Sequence, residues 1–359
     1  MRTALDVVRG LAAVYVVVNH IVAHAQLTGP IYFVFKWGPE AVIVFFLLSG
    51  FVIFHNEKHR VRDGLRGYYT RRLRRIYPTL LVAFALSAGL ALLGGTLAAR
   101  FDLRELLLNL ASMQDLDFKP GNLALPFLGN GPLWSLSYEV AFYLVFPVIM
   151  MAYRRGRGLA LTTVATVSII GLVTYALVPN HFSLVLAYLL TWWAGAVVAD
   201  LYSLGKLNFV SLLPVLGWLS ALCATTGVAV LLNSREDMTQ ILKLCFTLFA
   251  FALGCVLLAG SPAARAFARL CSPSARVAAY VASISYGLYV FHFPLLTQWD
   301  VAQSPLGFVC AVMLLIGLSI LGDRWLSRAL TPRKHPDSNA GAPATLHLAQ
   351  TTPLQTDHM

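Results

Sequence analysis

Apolar runs of about twenty residues, interrupted by short polar or basic segments, recur from residue 4 to about residue 325. An α-helix needs about 20 apolar residues to cross the hydrocarbon of a bilayer. Ten segments have that length: 4–24, 40–56, 76–97, 135–153, 160–177, 184–203, 212–232, 239–259, 279–297 and 303–323. The pattern predicts an all-α, polytopic integral membrane protein with about ten transmembrane helices. No long polar block separates the runs, so residues 1–330 are expected to form one membrane domain. The stretch 331–359 is rich in Pro, Ala and Thr and lacks apolar periodicity, which predicts a disordered cytoplasmic tail.

Composition agrees with this reading. Of 359 residues, 58% are hydrophobic and 12% charged, more apolar than a soluble domain of this length requires. The net charge of +11 would suit a nucleic-acid partner, but the basic residues lie in short clusters between apolar runs, as topology signals do. An even number of spans places both termini on one side. With that side cytoplasmic, every lysine and arginine except Lys36, Arg100, Arg104, Lys119, Arg235 and Lys243 falls on the inner side or at the inner end of a span. Arg2, the apolar run and Ala23-His24-Ala25 imitate a signal peptide, but Asp6, Arg9 and Asn19-His20 interrupt it, so a retained first span is expected. The cysteines form neither a C-x-x-C pair nor a spaced framework, and no Cys/His metal pattern, Gly-rich phosphate loop or G-x-S-x-G elbow is present.

Chemistry enters through the polar residues inside the spans, which are costly in lipid and usually face a cavity, a partner or a pathway. Arg9 and His20 are eleven residues apart, close to three helical turns, which puts them on one face about 16 Å apart along the axis. Glu139 begins the fourth span about five residues in from the outside, roughly 7–8 Å deep, and would approach His20 from the same face. His292 falls near the outer end of the ninth span. Arg71, Arg72, Arg74 and Arg75 precede the third span on the cytoplasmic side, where guanidinium forks suit phosphate, although topology alone also asks for basic residues there. Two connections are long, the basic 57–75 inside and the Gly/Pro/Asn/Asp-rich 98–134 outside. A phosphate-bearing donor inside and a base working outside would fit this layout; so would a transporter relaying protons through the same groups.

Five motifs in order carry a resemblance to a known family: "LDVVRGLAAVYVVVNH", "VFFLLSGFVI", "RRLRRIYP", "LWSLSYEVAFYLVFP" and "SYGLYVFHFP". Across about residues 4–325 the chain resembles the acyltransferase-3 membrane O-acyltransferases, which acetylate lipopolysaccharide, exopolysaccharide, Nod factors and some antibiotics. The resemblance implies a bacterial inner-membrane enzyme, multi-pass with cytoplasmic termini. It would take acetyl-CoA from the cytoplasmic side and pass the acyl group to a carbohydrate hydroxyl outside. By motif, Arg9 and His20 match the family's Arg/Lys followed eleven residues later by His. Arg72 and Arg75, or Arg71 and Arg74 one register earlier, match its R-x-x-R, and Trp134, Ser135, Leu136 and Glu139 match its Trp-Ser-Leu-x-x-Glu.

The resemblance implies that His20 acts as general base, or as a transient acyl carrier, with Glu139 orienting it. Arg9, Arg72 and Arg75 would bind CoA phosphates, and Trp134 and His292 would meet the acceptor. No metal is expected. The chain departs from the pattern at "GPEAVIVFFLLSG", where Pro39, Glu40 and Val44 replace the usual Gly-Val and Asp. Some family members carry a fused esterase-like outer domain that finishes the transfer; here none follows the tenth span, so the transfer is expected to proceed alone or with a separate partner. A transporter or exporter, or a non-catalytic polysaccharide-assembly partner, is the alternative.

Overall fold

The computed structural model describes residues 2–258 and 275–326, together with Ala329. The tail expected at 331–359 lies outside the described residues. Among those described, the chain is helical with no strand; one isolated bridge joins Gln114 to Ala124. The helices are α1 (Arg2–His24), α2 (Pro30–Phe35), α3 (Gly38–Glu57), α4 (Leu65–Leu93), α5 (Leu97–Arg100), α6 (Leu103–Leu110), α7 (Trp134–Arg155) and α8 (Arg157–Leu177). They continue with α9 (His181–Ala187), α10 (Leu189–Ser203), α11 (Phe209–Asn233), α12 (Glu236–Leu258), α13 (Ala275–Ser283), α14 (Ser285–Phe293) and α15 (Pro305–Ile320).

Eight of the described helical segments are long and apolar enough to cross a membrane, and α13 with α14 makes a ninth, bent by 59° at Ser283–Ser285. The remaining expected span, 239–259, coincides with α12. The protein is therefore a polytopic helical membrane protein, as the hydrophobic pattern indicates.

Two segments differ from expectation. The basic connection 57–75 is largely helix, because α4 begins at Leu65 and runs 29 residues, about 43 Å at 1.5 Å per residue. Gly64, at φ 130°, starts it, and both Gly67 in its first turn and Pro78 farther on stay within the helix. The four arginines thus ride on a rigid extension of the third span. The connection 98–134 also folds onto the bundle. The Tyr77 hydroxyl donates to Leu110 O at 2.8 Å, so the end of α6 lies beside the middle of α4. Buried Asn109 closes this fold by donating to Glu105 O and Leu125 O and accepting from Phe127 N, which satisfies loop backbone groups that water cannot reach.

The closest helix contact is between α3 and α10. A Cβ on Gly50 would lie 1.9 Å from Trp192 O, and one on Gly195 would lie 1.9 Å from Leu47 O. The two backbones touch because both positions lack a side chain, the usual device for close packing in lipid. That contact turns the neighbouring Ser49 toward the interior, where it meets α7.

Candidate active site

A cavity of about 1080 Å³ lies among α1, α3, α4, α7 and α14. Seven arginines line it, including Arg9, Arg72 and Arg75, and Glu139 is the one acid among the lining residues. Buried carboxylates outside the lining brace the arginines. Glu57, at the end of α3, accepts from Arg71 Nε at 3.0 Å and from Arg72 Nη2 at 2.9 Å. Asp323 faces Arg75 Nη1 at 3.5 Å while accepting from the backbone N–H groups of Tyr286 and Gly287. Arg9 pairs with Asp6 at 3.3 Å. Arg60, Arg66 and Arg74 have no ion-pair partner among the described residues. Arg9 Nε and Arg72 Nε are buried without a hydrogen-bond partner. The wall therefore carries excess positive charge and unused guanidinium donors, which suits a ligand with several phosphates.

On the cavity wall, Glu139 accepts from Ser49 Oγ at 3.2 Å and from the Tyr143 hydroxyl, and Trp192 Nε1 donates to Ser49 at 3.2 Å. No contact joins Glu139 to His20 among the described residues. The Tyr68 hydroxyl donates to Tyr143 O at 3.0 Å and the Tyr69 hydroxyl to Leu144 O at 3.1 Å, which sets the register of α7 against α4. Glu139 consequently lies level with Arg72, whose guanidinium is 5.7 Å from the Tyr143 ring. Tyr289 also lines the cavity. Its hydroxyl donates to Pro132 O at 2.6 Å, which leaves its oxygen to accept from Ser135 Oγ at 2.7 Å.

Tyr289 lies between this cavity and a second cluster. Its ring centroid is 6.1 Å from that of His292, which in turn is 5.2 Å from that of His20; Phe293 meets His20 edge-on at 5.3 Å. Pro294 lacks the N–H that would bond Val290 O, and Asn130 Nδ2 takes its place at 2.9 Å, tying the loop to this helix end. The structure therefore brings His20 together with His292, and Arg9, Arg72 and Arg75 together with Glu139. Trp134 joins neither group. It is buried beneath Lys119, whose ammonium is 3.8 Å from the ring centroid. Among the described residues no group of three or more His, Cys, Asp or Glu is placed to hold a metal.

Nothing in the sequence marks Glu57, Asp323 or Tyr143, whereas Ser49 stands in the Ser-Gly pair of FLLSGF, which the sequence offers as a site of close helix packing rather than as a partner of Glu139. Glu57 and Asp323 read there as ordinary acids at span ends, and only the fold shows that they are buried against arginines.

Residues 2–324 match the family described as an acyltransferase domain. The chain belongs to the acyltransferase-3 family. Acyltransferase MdmB of Streptomyces mycarofaciens is 30% identical over 273 residues, covering 70% of this chain and 67% of that protein. Nodulation protein 10 of Rhizobium leguminosarum bv. viciae is 27% identical over 185 residues, 47% of this chain and 49% of its own length. An uncharacterized Haemophilus influenzae protein is 32% identical over 132 residues, 34% of this chain and 54% of its own. The chain thus spans about half the length of the last two. No solved structure matches. As a member of the acyltransferase-3 family, the protein is a membrane O-acyltransferase, and the arginine cavity and the histidine pair are the parts of it to which chemistry can be assigned.

Proposed function

We propose that the protein transfers an acyl group, acetyl in the simplest case, from cytosolic acetyl-CoA to a hydroxyl of a carbohydrate at the outer face of a bacterial plasma membrane. The observation that carries this reading is the arginine wall of the cavity, with the unpartnered guanidinium N–H groups of Arg9 and Arg72. Its chemistry fits the phosphates of CoA. Arg9 stands on the same helix as His20, about 16 Å away along the axis, so a donor held by Arg9 and Arg72 could extend its thioester toward the histidine pair. The bacterial sources of the relatives, and the acyltransferase named in Streptomyces, support the setting.

In this mechanism a ring nitrogen of His20 accepts the acceptor's hydroxyl proton while that oxygen attacks the thioester carbonyl. The C–S bond breaks, the ester C–O bond forms, and the departing CoA thiolate takes the proton back from the imidazolium. Seven guanidinium groups against the carboxylates of Glu139, Glu57, Asp323 and Asp6 leave the wall positive, which favours the tetra-anionic donor over neutral metabolites.

Inverted membrane vesicles given radiolabelled acetyl-CoA test the reading. Label should enter the glycan fraction with the wild-type protein and fall by about 10²–10⁴-fold with His20→Ala, the range that a positioned general base contributes. Unlabelled glycan with folded wild-type protein would reject acetyl-CoA or carbohydrate as substrate.

A further inference from the structure

His292 is wholly buried near the end of α14. Its Nδ1 lies 3.0 Å from Leu288 O and 2.8 Å from Tyr289 O. Both neighbours can only accept, so Nδ1 carries the proton, and Nε2 of the neutral ring bears a lone pair. That Nε2 is buried without a hydrogen-bond partner. An acceptor fixed in this way and left unmatched asks for a donor, and the polar ring beside it is that of His20. The centroid separation of 5.2 Å is one that an N–H···N bond of about 3 Å between two imidazoles spans. The rings are now tilted by 41°, so rotation of the His20 side chain completes the bond without moving either helix. Phe293, perpendicular to His20, confines that rotation from a second side. Glu139, which the motif order makes the orienting group, is engaged with Ser49 and Tyr143 instead.

We propose that His292 is a positioning residue for His20: its Nε2 accepts the His20 N–H and leaves the opposite ring nitrogen of His20 as the base. The proposal rests on His20 being the base of the acyl transfer. A general base works only in one tautomer, and a partner that fixes the proton on the far nitrogen selects it. The acceptor's hydroxyl proton then goes to the near nitrogen, and His292 keeps its own proton on Nδ1 throughout.

The test uses full-length protein in inverted vesicles, with radiolabelled acetyl-CoA varied and endogenous membrane glycan as acceptor. His292→Gln places a carbonyl oxygen near the position of Nε2, whereas the shorter His292→Asn and the apolar His292→Leu do not. Apparent kcat should stay within about threefold of wild type for Gln and fall at least about tenfold for Asn and Leu, with the KM for acetyl-CoA unchanged in all three. Equal losses for Gln and Asn, or wild-type kcat in Asn and Leu, would overturn the role of His292. If Leu does not accumulate in the membrane, the comparison of Gln with Asn decides alone. His20→Ala is run beside them: wild-type transfer there would overturn the base assignment itself, while its loss alongside a fully active His292→Leu would overturn only the positioning role.

Discussion

Glu57 anchors Arg72: the carboxylate at the end of α3 accepts from Arg72 Nη2 at 2.9 Å and is itself almost fully buried. The same carboxylate takes Arg71, so one acid at the end of one span fixes two guanidinium groups at the start of the next. The arginines gain orientation from this and remain on the cavity wall.

The donor side should therefore respond in KM. Arg72→Ala with Arg75→Ala is expected to raise the KM for acetyl-CoA by about ten- to a hundredfold, since a charge-assisted hydrogen bond contributes about 1.5–3 kcal/mol. Glu57→Gln, which keeps shape but loosens the arginines, should raise it less. Initial rates in vesicles against acetyl-CoA concentration check both, and an unchanged KM in the double variant would remove these arginines from the donor site.

The contact of α3 with α10 makes a prediction about stability. Gly50→Ala or Gly195→Ala puts a methyl group 1.9 Å from a backbone oxygen, and the helices must separate. A loss of about 1–3 kcal/mol is expected, as for other overpacked sites. Gly227, inside α11 with nothing within 4 Å of its Cβ position, provides the control: Gly227→Ala should be neutral or stabilising by up to about 1 kcal/mol. Melting of the detergent-solubilised variants distinguishes the two kinds of glycine.

Tyr289 separates the arginine cavity from the histidine pair. Tyr289→Phe removes the donation to Pro132 O and the acceptor for Ser135, while the ring stays in place as a partition. Transfer should then fall modestly, by less than tenfold on the scale of one or two neutral hydrogen bonds of about 1 kcal/mol. Tyr289→Ala, which opens the partition, should admit water to the thioester and raise acetyl-CoA hydrolysis in vesicles stripped of acceptor. Equal hydrolysis by Phe and Ala variants would show that the ring is no barrier.

The legible parts of this protein are those whose signal is local. Helix periodicity alone puts Arg9 and His20 on one face of α1, and a basic cluster before an apolar run is visible as letters. The pairing of His20 with His292 is not local, because the two are 272 positions apart and an aromatic-rich span end offers no mark of which ring turns inward. The neighbours of Glu139 are hidden in the sequence for a related reason. Reading 98–134 as a loop outside the membrane ignores the burial of Asn109 and Gln114, two amides that satisfy backbone carbonyls once the segment folds against α4. With that segment packed on the bundle, Glu139 lines the cavity together with the arginines. Asp323 and Glu57 carry no mark in the sequence, because a carboxylate at a span end looks solvated until its partners are known.

That folded segment is held by a buried ionic cluster. Lys119 Nζ lies 2.8 Å from Asp115 Oδ1 and 3.8 Å from the Trp134 ring centroid, the Tyr138 hydroxyl donates to Asp115 at 2.6 Å, and His181 Nδ1 is 3.5 Å from Asp115 Oδ2. Burial alone would raise the Asp115 carboxyl; the Lys119 ammonium beside it, with the hydrogen bond from Tyr138, overcomes this and holds it below its ordinary value. A carboxyl depressed in the folded state stabilises it above the unfolded pKa, and the contribution is lost as pH falls through the folded one. The contribution of Asp115 should therefore be constant near neutrality and be lost only in acid below the usual carboxylate range. Asp115→Ala strands the Lys119 ammonium in the interior, and breaking such a pair costs about 3–5 kcal/mol. Replacing both, as Asp115→Leu with Lys119→Met, removes the stranded charge and should recover most of that loss. Thermal unfolding in detergent at neutral pH reads each step, and a double variant as unstable as Asp115→Ala would mean that the segment depends on the carboxylate for something other than its charge.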